Sequence, residues 1–178
     1  MKNMINWEID AKHSEIHFMV KHMLISTVTD LFTKFTGKAI TEDARQFSNG
    51  QVNISIDVAS VYTNETYRDE HLKSPGFFDI DEFPAITFTS TAFNTTQDND
   101  QFSLQGLLSI KNITKEITLQ VIYGGYATHN RHTRVGFQVS GTINRRDFGL
   151  SYNPLMEAGG MIVSENVDIL ANIELIKQ

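Results

Sequence analysis

Residues 101–123 read QFSLQGLLSIKNITKEITLQVIY, and their period decides the fold. Phe102, Leu104, Gly106, Leu108 and Ile110 take every second position, and Ile117, Leu119, Val121 and Tyr123 do the same further on. A strand turns successive side chains to opposite faces, so alternation at period two means one buried face and one wet face. The pattern extends outward in both directions. Ile16, Phe18, Val20 and His22 alternate with Glu15, His17, Met19 and Lys21, and Val52, Ile54, Ile56 and Val58 with Asn53, Ser55 and Asp57. Val135, Phe137, Val139, Gly141 and Ile143 form a later row, and Val163, Val167, Ile169, Ala171 and Ile173 the last. With the stretches 28–38 and 84–93, this predicts eight strands. Ser48-Asn49-Gly50, Asp98-Asn99-Asp100 and Gly124-Gly125 read as turns between them. Eight amphipathic strands make a sandwich or a barrel. A closed antiparallel barrel removes the free edges and keeps an interior for one small ligand wherever inward side chains do not fill it.

One segment breaks the period. Residues 64–74 (NETYRDEHLKS) are charged helix formers with Asn64 as N-cap, and Pro75-Gly76 ends them. Tyr67 and His71 share a helical face, as do Arg68 and Leu72. A short helix between two barrel strands is expected to lie over one end. No repeat, low-complexity tract or linker interrupts residues 1–178, so a single domain is expected.

Composition narrows the function. A net charge of −6 with no basic run argues against nucleic acid, whose binding needs cations to displace counterions. The absence of cysteine excludes disulfides, thiolate metal sites and cysteine nucleophiles. No window approaches the roughly twenty apolar residues of a membrane helix, and the start (MKNMINW) lacks the apolar run of a secretory signal. The expected location is therefore cytoplasmic; a chain trimmed of its signal, periplasmic or secreted, would read the same. His129 and His132 sit beside Arg131 with no carboxylate near them in sequence, and His13 and His17 fall in strand-like surroundings, so no metal site is assigned. There is no Gly-x-Ser-x-Gly elbow, and Gly159-Gly160 is a turn signal without the Lys of a phosphate loop.

Five phrases in order resemble the YceI-like (polyisoprenoid-binding) family: WEIDAKHSEIHFMVKHM from Trp7, VTDLFTKFTGKAI from Val28, YRDEHLKSPGFFDIDEFPAITFTS from Tyr67, LQGLLSIKNITKEITL from Leu104 and INRRDFGL from Ile143. Three positions depart from the family pattern. Asp30 stands for a Gly, Gly76 for an acidic residue, and Asn112 for a turn Gly, the last a mild change because Asn tolerates a left-handed position. An inward Asp30 is expected to make the pocket more polar or shorter.

The resemblance implies an all-β, eight-stranded lipocalin-like barrel that binds a long-chain isoprenoid or related amphiphile non-covalently, as a quinone or polyprenyl phosphate carrier, without catalysis. It implies no cofactor beyond that lipid. The expected ligand-contacting residues are Phe18, Val20, His22, Asp30, Phe32, Ile54, Ile56, Arg68, His71, Leu72, Phe77, Phe78, Phe88, Leu104, Leu108, Phe137 and Val139. Arg68 and His71 are candidates for the head group, although Arg68 and Asp69 equally suit pinning the helix to neighbouring strands. Arg145, Arg146, Asp147 and Phe148 read as a turn locked by salt bridges. Gly106 and Gly141 mark either a close approach by a ligand or a kink of barrel closure. The rival reading is an isomerase or hydrolase on the same barrel with His22, His71 or Asp30 as acid–base groups; a third is a filled barrel. Outward Met19, Leu107 and Leu170 suggest a homodimer face.

Overall fold

The computed structural model describes residues 4–44, 46–98, 100–152 and 162–178. Among them eleven strands form one antiparallel sheet: β1 (Ile5–Ile9), β2 (Glu15–His22), β3 (Ser26–Phe32), β4 (Phe35–Thr41), β5 (Gln51–Asp57), β6 (Val61–Tyr62), β7 (Ala85–Thr95), β8 (Gln101–Ile110), β9 (Ile113–His129), β10 (His132–Asn144) and β11 (Asn166–Lys177). The helix α1 (Thr66–Lys73) lies between β6 and β7. The sheet runs β1-β4-β5-β7-β8-β9-β10-β11, and β11 returns to β1 through Trp7–Lys177, Glu8–Ile176 and Ile9–Leu175. That circuit is a closed barrel of eight strands. β2 and β3 continue β1 and β4 past bends at residues 10–14 and 33–34, and β2 pairs with the first half of β11.

The eight expected strands are thus present, the first two each broken by a bend. β1 was not expected as a strand, although Ile5, Trp7 and Ile9 alternate along it, because five residues are too short a row to stand out. The Trp7 ring is fully buried, and its Nε1 donates to Thr41 Oγ1 at 2.9 Å. His13 sits in the bend rather than in a strand. Gly124-Gly125 is not a turn. β9 runs through it, and a bulge sets Gly125 opposite Gly136 and Tyr123 opposite Phe137, leaving Gly124 as the extra residue. Val163 makes one bridge to His22, ahead of the last strand. α1 starts two residues after Asn64. Its N-cap is Glu65, whose carboxylate accepts from the backbone N–H of Tyr67 and Arg68, while Asn64 takes a left-handed φ of 59° just before it. Asn99 and Gly159-Gly160 lie outside the described residues.

Gly106 and Gly141 answer to packing inside the wall. A Cβ on Gly106 would lie 2.3 Å from Phe88 Cζ, and one on Gly141 2.5 Å from Leu119 Cδ2. Each gives up its side chain to a neighbour's.

Two ends follow from the antiparallel alternation. The β2–β3 turn, the β5–β7 connection with α1, the β8–β9 turn and the β10–β11 connection share the helix end. The β4–β5 loop, carrying Phe47, and the β9–β10 turn share the far end. Phe47 is buried against Trp7 and Phe137, with ring centroids 5.5 and 4.8 Å away.

Candidate ligand-binding lumen

Inside the barrel is a cavity of about 160 Å³ with a wholly apolar surface. Ile54 and Ile56 of β5, Phe88 of β7, Leu104 and Leu108 of β8, and Phe137 and Val139 of β10 line it, all seven expected from the period-two rows. Phe47, Ile117, Leu119, Ile169, Ala171 and Ile173 complete much of the wall. Most of these also lie on the alternating rows and were legible in principle. Phe47 was not, because it comes from a loop with no period.

The cavity occupies the middle and far half of the barrel. Phe47 closes the far end. At the helix end the rings of Phe18, Phe32 and Phe78 form a chain, with centroids 5.2 Å apart for the first pair and 6.1 Å for the second. These three expected contact residues therefore form a partition below the cavity rather than its wall. Leu72 packs against the same core from α1. A volume near 160 Å³ suits a ring the size of benzene, while pockets for larger ligands run to roughly 300–1,000 Å³. A long chain must displace part of the partition to be held.

The polar candidates gather at the helix end, outside the cavity. Asp30 is 4% exposed and faces inward beside Phe18, its ladder partner. Its Oδ1 lies 3.8 Å from Arg68 Nη1 on α1. Burial pushes the Asp30 carboxyl above its ordinary value; Arg68 pulls it back and Asp69 adds to the rise. Asp69 accepts from both the backbone N–H and the hydroxyl of Thr63 at 2.7 Å. Arg68 and Asp69 thus tie α1 to its neighbours, which matters because α1 itself has no buried residue. His71 packs edge-on against Phe77 and Tyr152, centroids 5.2 and 4.8 Å away, in an aromatic cluster on the outside. Val20 and His22 lie half-buried toward the end of β2, opposite Val28 and Ser26.

The remaining charged clusters are structural. Arg145 is buried, and its guanidinium donates to the carbonyls of Leu150, Tyr152 and Ser164, while Arg146 pairs with Glu165 at 3.0 Å. Backbone carbonyls more than carboxylates therefore lock that turn, and burial lowers the Arg145 guanidinium below its ordinary value. Asp10, His13 and Glu174 bring three possible metal-ligating atoms within 4.8 Å of one another. Arg134 already donates to both carboxylates, and its charge repels a cation there. Asp10 and His13 are three residues apart but Glu174 is remote in sequence, so no spacing signal announced the set. A wider groove of about 340 Å³ on the flank, where the β5–β7 ladder stops at Asn53–Thr89, mixes Asn, Gln, Thr and Ser with Val52, Ala92 and Phe93, and so lacks the wholly apolar wall of the lumen.

The family model described as YceI-like domain matches residues 7–175. The chain belongs to the YceI-like family. Among curated YceI-like relatives, a UPF0312 protein of Staphylococcus aureus is 34% identical over 173 residues, 96% of this chain and 97% of that one. Two solved structures share the fold. The BcnA protein of Burkholderia cenocepacia has a TM-score of 0.78 at 22% identity and covers 93% of this chain and 98% of its own. A polyisoprenoid binding domain from Saccharophagus degradans has a TM-score of 0.70 at 15% identity, covering 95% and 97%. The YceI-like barrel seen here is that architecture, with a lumen of about 160 Å³.

Proposed function

We propose that this YceI-like protein binds a long-chain isoprenoid or related amphiphile non-covalently in its barrel, for transport, storage or sequestration, and carries out no reaction of its own. The observation that carries this reading is the wholly apolar cavity ringed by the strands. Each buried methylene contributes about 0.8 kcal/mol, so a few prenyl units offset the cost of immobilising a chain. The way in is the helix end: α1 buries none of its residues and is held by Asp30–Arg68 and Thr63–Asp69. Lifting it frees Phe78, Phe32 and Phe18 to swing aside. Arg68 and His71 then stand beside the head group. Support for the non-catalytic part comes from the cavity wall: Asp30, His22 and His71 lie outside it, and Lys38, its one titratable residue among those described, points its amine away to Glu8 at 3.6 Å.

The test is native mass spectrometry of freshly purified protein, then solvent extraction and lipid identification. A stoichiometric extra mass that extracts as a quinone or polyprenyl species is expected. Ala171→Phe, which fills the cavity from its wall, is expected to lose that mass while keeping a wild-type melting temperature. Protein that stays free of ligand after incubation with long-chain isoprenoids would rule the reading out. For the enzyme reading, His71→Ala must abolish turnover of a bound lipid without loss of retention.

A further inference from the structure

The β2–β3 turn breaks two rules at once. Met23 and Leu24 take φ of 52° and 63°, and the turn closes with Ile25 N–H donating to His22 O at 3.1 Å. Two consecutive positive φ values are the geometry for which Asn-Gly is preferred, and a bulky side chain there is an outlier. The strain is not repaid by packing. Met23, Leu24 and Ile25 are 41%, 72% and 83% exposed. Nor is the turn loose. Met23 N–H donates to Ile162 O at 2.7 Å, and Lys21 and Ser164 hold the stem through two 3.0 Å bonds. A rigid hairpin therefore carries three aliphatic side chains into solvent.

We infer that this turn is a membrane-contact finger, which places Met23, Leu24 and Ile25 in the acyl layer of an anionic phospholipid bilayer. Three observations select a bilayer over a protein. The tip is convex and small, while a stable protein interface buries roughly 800 Å² on each partner. Residues 20–29 (VKHMLISTVT) carry Lys21 and His22 and no carboxylate, in a chain of net charge −6, so the tip itself sets no like charge against an anionic surface. The same end of the barrel carries exposed tyrosines, Tyr67 on α1 at 78% and Tyr152 at 46%, the side chain that favours the membrane–water interface. The finger shares its end with α1, where a lipid tail is to enter, but the inference holds whatever the lumen contains.

The experiment is flotation of the full chain with vesicles of phosphatidylcholine and phosphatidylglycerol, beside the triple variant Met23→Asn, Leu24→Gly and Ile25→Thr. The variant takes the residues the turn prefers, so it is expected to melt about 2–4 °C higher for each kcal/mol of strain removed. Its vesicle-bound fraction is expected to fall on the order of tenfold. A gain in stability with a loss of binding is what a purely structural turn would not give. Wild-type protein that does not float, or a variant that floats equally, would overturn the inference. So would a dimer by light scattering that becomes a monomer in the variant without any flotation, since the turn would then be a self-contact. Extraction of lipid from the purified protein is a separate readout, so failure of the finger and failure of the lumen are distinguishable.

Discussion

Asp30 is the residue on which this barrel departs most from the plain apolar pattern. Its carboxylate is buried beside Phe18 and meets Arg68 only at 3.8 Å, so desolvation wins and the folded-state value lies above the ordinary one. A raised carboxyl binds more protons folded than unfolded. Its contribution to stability is therefore full below the unfolded value near pH 4 and is lost as pH rises through the folded value. Asp30→Asn removes that dependence. The variant is expected to melt above wild type at pH 7, with the difference closing as pH falls toward 4; thermal melts across that range check it. A variant that melts lower at every pH would show that the Arg68 pair outweighs the desolvation. The identity of Asp30 as an inward polar residue was legible from its place in the second strand. Its partner was not, because Arg68 sits on a helix whose docking no local pattern specifies.

At the scale of elements, loops and bends decided what the strands left open. The β4–β5 loop delivers Phe47 into the far end, where its ring meets Trp7, Phe137 and Tyr123. A single aromatic in a polar loop has no period, so sequence reading had no handle on it. Phe47→Ala is expected to lower stability by about 3–5 kcal/mol and to lengthen the lumen. Denaturant unfolding checks the first, and a shift of the extracted lipid toward longer chains checks the second. Unchanged lipid length would show that the chain never reaches the far end. Gly124-Gly125 shows the opposite error, since a glycine pair marks a bulge as readily as a turn, and only the pairing partner at Gly136 distinguishes them. The three outward apolar residues proposed as a dimer face also separate by element. Met19 and Leu170 are close neighbours on β2 and β11, while Leu107 lies on β8, three strands from β11 around the barrel.

For the whole molecule, closure is the decisive event. The bend at residues 10–14 lets the first strand serve both halves of β11, and Asp10 and Glu174 both accept from Arg134 of β10 across that seam. The hydrogen bond from His13, then that from Arg134, holds the Asp10 carboxyl down to about 2 from 3.8. The sign is opposite to that of Asp30. A depressed carboxyl stabilises the fold above its unfolded value, and that contribution is lost as pH falls from about 4 through 2. Melting temperature is expected to drop over that window, and Asp10→Asn is expected to start lower and to drop less. Equal slopes for the two proteins would remove Asp10 from the acid response.

What the sequence determined by itself was the strand set, the inward rows and the family. Each depends on side-chain period or local phrase, information carried within a few neighbouring residues. Most of the cavity-lining residues lie on those rows because a strand's two faces are dictated by alternation alone. Only the tertiary structure decided how much of the interior stays empty. That depends on how the rings of Phe18, Phe32, Phe78 and Phe47 meet across the barrel, and on Phe88 lying over Gly106. Contacts between residues remote in sequence set it, and volume, unlike period, is a property of the packed whole.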